Sequence, residues 1–349
     1  MNVARLVDRE VGDGRPPFLV AELSANHDGD LDRALAIVDA AAEAGVDAIK
    51  IQTYRADEIT IESDSPVFQV DASHGLWGGQ HLIDLYRRAE TPWDWHGPIF
   101  DRARELGLIP FSSPFSPKAI DFLEALGCPI YKVASPELVD LPLIAAMAAT
   151  GKPLVISTGM ATLAEIEQAL VIADAEGCND LVLLVCTSSY PSSPADANLA
   201  RIPLLKAAFG YPVGLSDHTR GITVSVAAVA LGAALIEKHV LLSRSSGGLD
   251  AEFSLDPTDL RQLRSAADDA YEAVGAARFG PLESEADVLR LRRSLYVVED
   301  VSAGDIVNDH NVRSIRPSGG LPPHELRELV GRTFRVSVPR GTPMSWSLV

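Results

Sequence analysis

Long apolar runs are missing from this sequence. Nowhere do about 18 apolar residues follow one another, the length a helix needs to cross a bilayer, and the amino terminus, MNVARLVDREVGDGRPP, lacks the basic-then-apolar order of a secretory signal. A cytoplasmic protein is expected. Cysteine is rare as well: Cys128, Cys178 and Cys186 show no metal-like spacing, which predicts buried reduced thiols and no disulfide. Positive charge is short. Thirty Lys and Arg face 48 Asp and Glu, a net charge of −18, which argues against nucleic acid and anionic membrane as partners because both select a positive surface. The deficit is uneven, since residues 289–349 carry nine Arg and no Lys against six Asp and Glu. An acidic body with a basic tail invites contact between the two, within one chain or across a dimer.

The rest is ordinary globular material, 47% apolar and 22% charged, enough to bury a large core. Eight short apolar runs recur: FLVAEL (18–23), DAIKIQ (47–52), LIPFSS (108–113), PIYKVA (129–134), PLVIST (153–158), DLVLLVC (180–186), PVGLS (212–216) and ALIEKHV (234–240). Between them lie stretches such as LDRALAIVDAAAEAG and LAEIEQALVIADAEG, with apolar residues at helical spacing and Gly at the carboxyl end. Strict alternation of this kind implies parallel strands with right-handed crossovers. Eight units close into a (β/α)8 TIM barrel whose site lies at the carboxyl ends of the strands. An open doubly wound sheet is the alternative, but no G-x-G-x-x-G follows the first strand. The expected layout is a barrel over 1–280, a polar linker at 281–288 and a small β-rich module over 289–349. One connection is anomalous, because nearly thirty residues separate Tyr54 from the next helical pattern near Leu82. Loops of that length are usually functional walls or lids.

Only six lysines occur, yet Lys50, Lys132 and Lys238 fall in or at the end of apolar strands, where a charge is costly unless paired or used. Period-two alternation lets Lys50, with Gln52, and Lys132 point into the barrel mouth, whereas Lys238 opposes Glu237 and His239 and points outward. Polar groups recur at nearly every strand end: Glu22, Asn26 and His27; Lys50 and Gln52; Ser112 and Ser113; Lys132, Ser135 and Glu137; Ser157 and Thr158. The series continues with Thr187, Ser188 and Tyr190, then Ser216, Asp217 and His218, then Glu237 and His239. On a barrel these converge into one pocket rich in donors for phosphate and carboxylate oxygens. His218 and His239 end adjacent strands at matched positions, so two imidazoles, with Asp250 and water, suit a divalent ion such as Mn²⁺, with Mg²⁺ or Co²⁺ as alternatives. Surface placement is the default for His74, His81 and His96.

Read together, AELSANHDGD, DAIKIQTY, PFSSPF, YKVASPE, STGMAT, CTSSYP, GLSDHT and IEKH resemble the sialic acid synthase family from about residue 15 onward. The tail, RRSLYVVEDVSAGDIV followed by IRPSGGL, looks like that family's antifreeze-like (SAF) domain. The resemblance implies condensation of phosphoenolpyruvate with an N-acetylated amino sugar, C–C bond formation and C–O cleavage releasing phosphate. It implies Glu22 as the catalytic carboxylate, and Lys50, Ser113, Lys132, Ser135, Ser157 and Ser216 as ligands of phosphoenolpyruvate. His218 and His239 would hold the metal. Gln52, Tyr54, Trp77, Ser188, Tyr190 and Asp250 would face the sugar, with Arg316 reaching its N-acyl group from the partner of a domain-swapped homodimer.

Two departures bear on the substrate: Ser188 in CTSSYP stands where sialic acid synthases commonly have asparagine, and Pro136 in ASPE replaces a glycine. The forms ELSANH and IKIQTY, the GLW at 75–77 and the LY..A.TPW.WH stretch are closer to the pseudaminic acid synthase branch. That branch uses a 2,4-diacetamido-2,4,6-trideoxy altrose, and Tyr54, Phe68, Leu76 and Trp77 would offer its C6 methyl an apolar wall. N-acetylneuraminate and legionaminate synthesis are the alternatives within the family. Outside it stand a Schiff-base aldolase built on Lys50 or Lys132 and a non-enzymatic interaction protein.

Overall fold

The computed structural model describes residues 2–71 and 77–349. His74, Gly75 and Leu76 lie outside the described residues. The chain divides into two compact units, the first running to Gly275 and the second spanning Ala276–Val349.

The first unit opens with a hairpin, β1 (Val3–Leu6) and β2 (Arg9–Gly12). Eight parallel strands follow: β3 (Phe18–Glu22), β4 (Ala48–Thr53), β5 (Ile109–Pro114), β6 (Tyr131–Val133), β7 (Leu154–Ser157), β8 (Leu181–Cys186), β9 (Val213–Asp217) and β10 (Leu235–His239). They pair in chain order, and β10 closes on β3, giving a TIM barrel. Each expected apolar run is a strand to within one or two residues. The intervening helices include α1 (Leu31–Glu43), α2 (Ala56–Ile59), α3 (Leu82–Ala89), α4 (Trp93–Glu105), α5 (Pro117–Ala125), α6 (Leu141–Ala148), α7 (Leu163–Ala175), α8 (Arg201–Phe209), α9 (Thr223–Ala230) and α10 (Pro257–Val274).

Local chemistry starts these helices where the chain needs them. Asp30, Ser116, Asp140, Thr162 and Asp256 each accept a backbone N–H from the first turn, satisfying donors that have no partner inside the helix. Gly214 on β9 has a packing role: a Cβ there would meet the Leu235 carbonyl oxygen at 2.3 Å, so β9 and β10 come this close only with glycine.

The hairpin was not legible, because two four-residue strands, with charge at Arg5, Asp8, Arg9 and Glu10, carry little periodicity. Ala4, Leu6 and Val11 are nevertheless buried. The Arg5 N–H donates to Asp180 at 2.6 Å, Arg9 pairs with Asp47 at 2.6 Å, and Asp13 pairs with Lys206. Asp47 and Asp180 precede β4 and β8, so the hairpin sits at the amino-terminal ends of the strands, opposite the mouth.

Lys238 points away from the mouth, as alternation predicts, and meets its counter-ion there. Its Nζ is 3.0 Å from Asp217, the residue registered against it on β9, and it donates to the Thr219 carbonyl. Asp217 also accepts from the Thr219 N–H at 2.8 Å and from the Ser225 hydroxyl at 2.6 Å. Asp217, expected in the pocket, therefore belongs to a buried ion pair behind it.

The second unit holds β11 (Ser294–Val297) paired antiparallel with β12 (Val312–Ile315), and short helices α11 (Ala286–Leu289) and α12 (Leu326–Leu329). Beyond that pair, residues 331–344 contribute single bridges, among them Val301 to Val338 and Ile306 to Thr333. Leu295, Val297, Val307, Val312, Leu329, Phe334 and Met344 form its own core.

Removing Lys238 leaves Asp217 buried without its counter-ion, so Lys238→Met is expected to lose about 3 kcal/mol or more, read as a lower urea midpoint. Lys206→Met, at the partly exposed pair with Asp13, should lose less than about 1 kcal/mol.

Candidate functional site

A cavity of about 340 Å³ opens at the carboxyl ends of the strands. Its floor is charged. Strand register sets His239, Glu22 and Lys50 side by side on β10, β3 and β4. Lys50 Nζ lies 2.6 Å from Glu22 Oε2 and 3.9 Å from Glu237 Oε1, and Lys132 Nζ lies 3.9 Å from the same Glu237 oxygen. Two carboxylates thus interleave with two ammonium groups, all essentially buried. Burial opposes the charge on Lys50, but Glu22 and Glu237 outweigh it and hold its pKa above the ordinary lysine value. For Lys132 burial wins and the pKa falls, with Glu237 only partly offsetting it. Glu237 resists burial through Lys132 and Lys50, which hold it well below the carboxylate range.

Hydroxyls ring this floor. Lys132 donates to Ser157 at 2.6 Å, Ser113 lies 3.5 Å from Lys50 Nζ, and Ser216 donates to Glu237 at 3.0 Å. Ser135 packs against Gly159, where a Cβ would come within 2.5 Å of the Ser135 hydroxyl. Gln52 donates to Glu22 at 3.0 Å and to Ser24 at 3.2 Å. Ser24 lines the cavity with φ of +46°, a left-handed conformation that L-residues adopt at a cost and that clusters at functional sites.

His218 and His239 face each other with ring centroids 5.2 Å apart. His218 Nδ1 is 3.1 Å from the Thr187 carbonyl, which can only accept, so Nδ1 is the donor and Nε2 is the nitrogen left for a ligand. His239 Nδ1 is buried without a hydrogen bond, 3.4 Å from Asp250 Oδ2. Phe253 packs on both rings at 5.7 and 4.8 Å, and Tyr190 lies 4.5 Å from His218. Among the described residues no three His, Cys, Asp or Glu side chains form a ready metal cage. Two neighbouring imidazoles in an aromatic surround, one anchored through Nδ1, still fit a divalent ion whose other positions would go to water or substrate oxygen.

Thirteen of the sixteen expected site residues line this cavity: Lys50, Gln52, Tyr54, Trp77, Ser113, Lys132, Ser135, Ser157, Tyr190, Ser216, His218, His239 and Asp250. Glu22 sits beneath them, bonded to Gln52 and Lys50. Ser188 does not line it, and packs instead near Gly159 and Cys186. Arg316 belongs to the second unit, where it lines a separate cleft with Arg292 and Arg293.

Other strand-end groups turn away. Asn26 donates to the Val240 carbonyl and Ser254, Ser112 donates to the Ile51 carbonyl and bonds Thr53, and Thr158 donates to the Leu184 carbonyl. His27 is buried against Trp95. His96 is not on the surface: it is fully buried, with Nδ1 on the Pro92 carbonyl at 3.1 Å and Nε2 on Thr53 at 2.8 Å. Burial lowers its pKa to about 4. The apolar wall also differs from expectation. Phe68 lies in a short turn, Pro66–Phe68, off the cavity, whereas Ile59, Val70, Leu82, Leu85, Tyr86 and Phe115 line it. Tyr54 packs edge-on to Phe115 and Tyr86, and Trp77 leans on Tyr190 at 5.7 Å.

With the geometry in view, the comparisons carry the identity. The NeuB family model matches residues 37–278 and the SAF domain model residues 292–349. The chain belongs to the NeuB family. It is accordingly a phosphoenolpyruvate-dependent nonulosonate synthase, a transferase. It is 43% identical over 318 residues to a pseudaminic acid synthase of Campylobacter jejuni, covering 90% of this chain and 91% of that one. A N,N'-diacetyllegionaminic acid synthase of the same species is 33% identical over 319 residues, covering 90% and 95%. A solved N-acetylneuraminic acid synthetase from Leptospira borgpetersenii superposes with a TM-score of 0.73 at 31% identity, over 82% of this chain and 96% of that one.

Glu237, Cys186 and Glu137 also line the cavity of this NeuB-family chain and were missing from the expected ligands. Glu237 and Cys186 share strand faces with His239 and Ser216 partners, a signal alternation contained. Glu137 follows β6 in the ASPE turn, with Oε2 buried and without a hydrogen bond. Burial raises its pKa from 4.5 to about 7, with Lys132 opposing. The folded acid therefore keeps its proton up to about 7 while the unfolded one releases it near 4.5. The folded state binds more protons in that window, so this group costs stability as pH rises through it. Glu137→Gln, uncharged throughout, should gain on wild type between pH 5 and 8 by up to about 3 kcal/mol, measured as the difference in urea unfolding free energy. A pH-independent difference would contradict the burial argument.

Proposed function

We propose that the protein is a pseudaminic acid synthase, condensing phosphoenolpyruvate with 2,4-diacetamido-2,4,6-trideoxy-altrose and releasing phosphate. The observation that carries this is the two-sided cavity: a floor of lysines, serines and histidines under a wall of Ile59, Val70, Leu82, Leu85 and Tyr86. A 6-deoxy sugar presents a methyl where N-acetylmannosamine presents a hydroxyl, and an apolar wall gains only from the methyl. The higher identity to the pseudaminic than to the legionaminic relative supports the same choice.

In this reading Lys50, Lys132, Ser113, Ser135, Ser157 and Ser216 hold the phosphate and carboxylate of phosphoenolpyruvate. Its C3 forms the new bond to the sugar's aldehyde carbon, and the aldehyde oxygen becomes a hydroxyl. Lys50, whose ammonium lies 2.6 Å from Glu22, supplies that proton through the Glu22 carboxylate, registered beside His239, and the pair recovers a proton from the C2 hydroxyl as the ketone forms. Water then adds at C2, and the C–O bond to phosphate breaks. Glu137, with a pKa near 7, takes the water's proton and returns it to the departing oxygen. His218 and His239 would hold the divalent ion, Mn²⁺ in the first instance, which would orient the aldehyde and polarise its oxygen. Gln52, Tyr54, Trp77, Tyr190 and Asp250 would meet the sugar, and Ser188 would support them from behind. A homodimer in which Arg316 of a second copy reaches the N-acyl group belongs to the same proposal.

Phosphate release measured with the diacetamido altrose, N-acetylmannosamine and the diacetamido mannose sugar should favour the first in kcat/KM. Leu82→Ser should raise KM for that sugar about tenfold, corresponding to about 1.4 kcal/mol, with KM for phosphoenolpyruvate nearly unchanged. Preference for N-acetylmannosamine would overturn the assignment. For the metal, Mn²⁺ binding followed by paramagnetic resonance should be lost in His218→Ala and His239→Ala while both stay folded. Retained binding in both variants would remove these histidines from the ion's ligands.

A further inference from the structure

Arg201 opens α8, at the end of the helix where backbone N–H groups are unpaired and the macrodipole is positive. A cation there is unfavourable. No acid stands in the first turn, and Ala200 provides no side-chain cap. The guanidinium is also half-buried, and burial lowers its pKa. Among the described residues no Asp or Glu oxygen lies within 4 Å of it. Its two amino groups go instead to neutral acceptors on one turn: Nη1 donates to the Gly159 carbonyl and Nη2 to the Thr158 hydroxyl, each at 3.2 Å. That turn directly follows Ser157, the hydroxyl held by Lys132. Gly159 has φ of +23° and approaches the Ser135 and Ser188 hydroxyls so closely that a Cβ would meet them at 2.5 and 2.8 Å. The protein thus carries a positive charge that its helix disfavours and, among the described residues, no carboxylate neutralises, clamped on a turn beside Ser135 and Ser157.

We propose that Arg201 is a positioning residue for the anionic end of phosphoenolpyruvate: it clamps the Thr158–Gly159 turn against Ser135 and Ser157, and supplies positive charge that the bound anion neutralises. This rests on the reading of Lys132, Ser135 and Ser157 as ligands of that substrate. A cation whose cost is relieved by an anion favours the bound state over the free one, so its removal weakens binding without weakening the fold.

The test is calorimetric titration of the full-length protein with phosphoenolpyruvate alone, for wild type, Arg201→Met, Arg201→Lys and Lys132→Met. Arg201→Met should weaken binding about tenfold or more, Arg201→Lys should recover part of it, and the melting temperature of Arg201→Met should stay level or rise. In turnover, KM for phosphoenolpyruvate should rise in Arg201→Met with KM for the sugar within about twofold of wild type. If Arg201→Met binds like wild type while Lys132→Met is weakened, the role of Arg201 falls and the reading of the floor stands. If Lys132→Met also binds like wild type, the reading of the floor falls and takes this inference with it. Loss of binding together with a marked fall in melting temperature, unrescued by lysine, would make Arg201 an ordinary structural clamp and overturn the proposal.

Discussion

Glu22, Lys50, Glu237 and Lys132 form the ladder of buried charge on which the rest of the site depends. Each ion taken from water costs several kcal/mol even after relaxation, and only close alternation of sign repays it. The barrel makes that alternation unavoidable. Register places Glu22 against Lys50 and His239, and period-two alternation on β10 brings Glu237 to the same face. The ladder is neutral as a set of two acids and two bases, so an anion entering the floor must draw the lysines away from their carboxylates. The ring of serine hydroxyls eases that exchange, because a hydroxyl can turn from a lysine or glutamate to an incoming oxygen without moving the chain.

Ionisable groups on the other faces of the same strands are kept out of this exchange. Lys238 lies between Glu237 and His239 in sequence yet on the opposite side of β10, where Asp217 neutralises it at 3.0 Å. That pair ties β9 to β10 immediately behind His218 and His239, so the two imidazoles are carried on a cross-linked pair of strands. On the mouth side Phe253 and Tyr190 pack around them. The other end of the cavity is apolar, built by the long connection after β4 and by α3. One chamber thus presents a charged end and an apolar end. Among the described residues no helix is long and apolar enough to cross a membrane.

Much of this was legible in the residues. The alternation of apolar runs with helical periods located all eight barrel strands, because a fully buried parallel strand needs a continuous apolar run whatever its neighbours are. The facing of Lys50, Lys132 and Lys238 followed from two-residue alternation alone. Asn26, Ser112, Thr158 and Asp217 were legible as strand-end polar groups and not as structural ones, since a polar residue's partner lies on another strand and its direction depends on that partner. His96 was placed at the surface for the same reason: its acceptors, the Pro92 carbonyl and Thr53, meet it only once α4 packs on the barrel.

By itself the sequence determined the strand count, the face of each strand lysine and the family, because these depend on local periodicity and on short ordered motifs. The tertiary structure alone decided which polar groups converge: that Glu137 is buried and its pKa raised, that the apolar wall is Ile59, Val70, Leu82 and Leu85 with Phe68 outside it, and that Arg201 is left without a carboxylate. Burial and Coulomb interaction act through space between residues far apart in the chain, and no pattern along the chain records those distances.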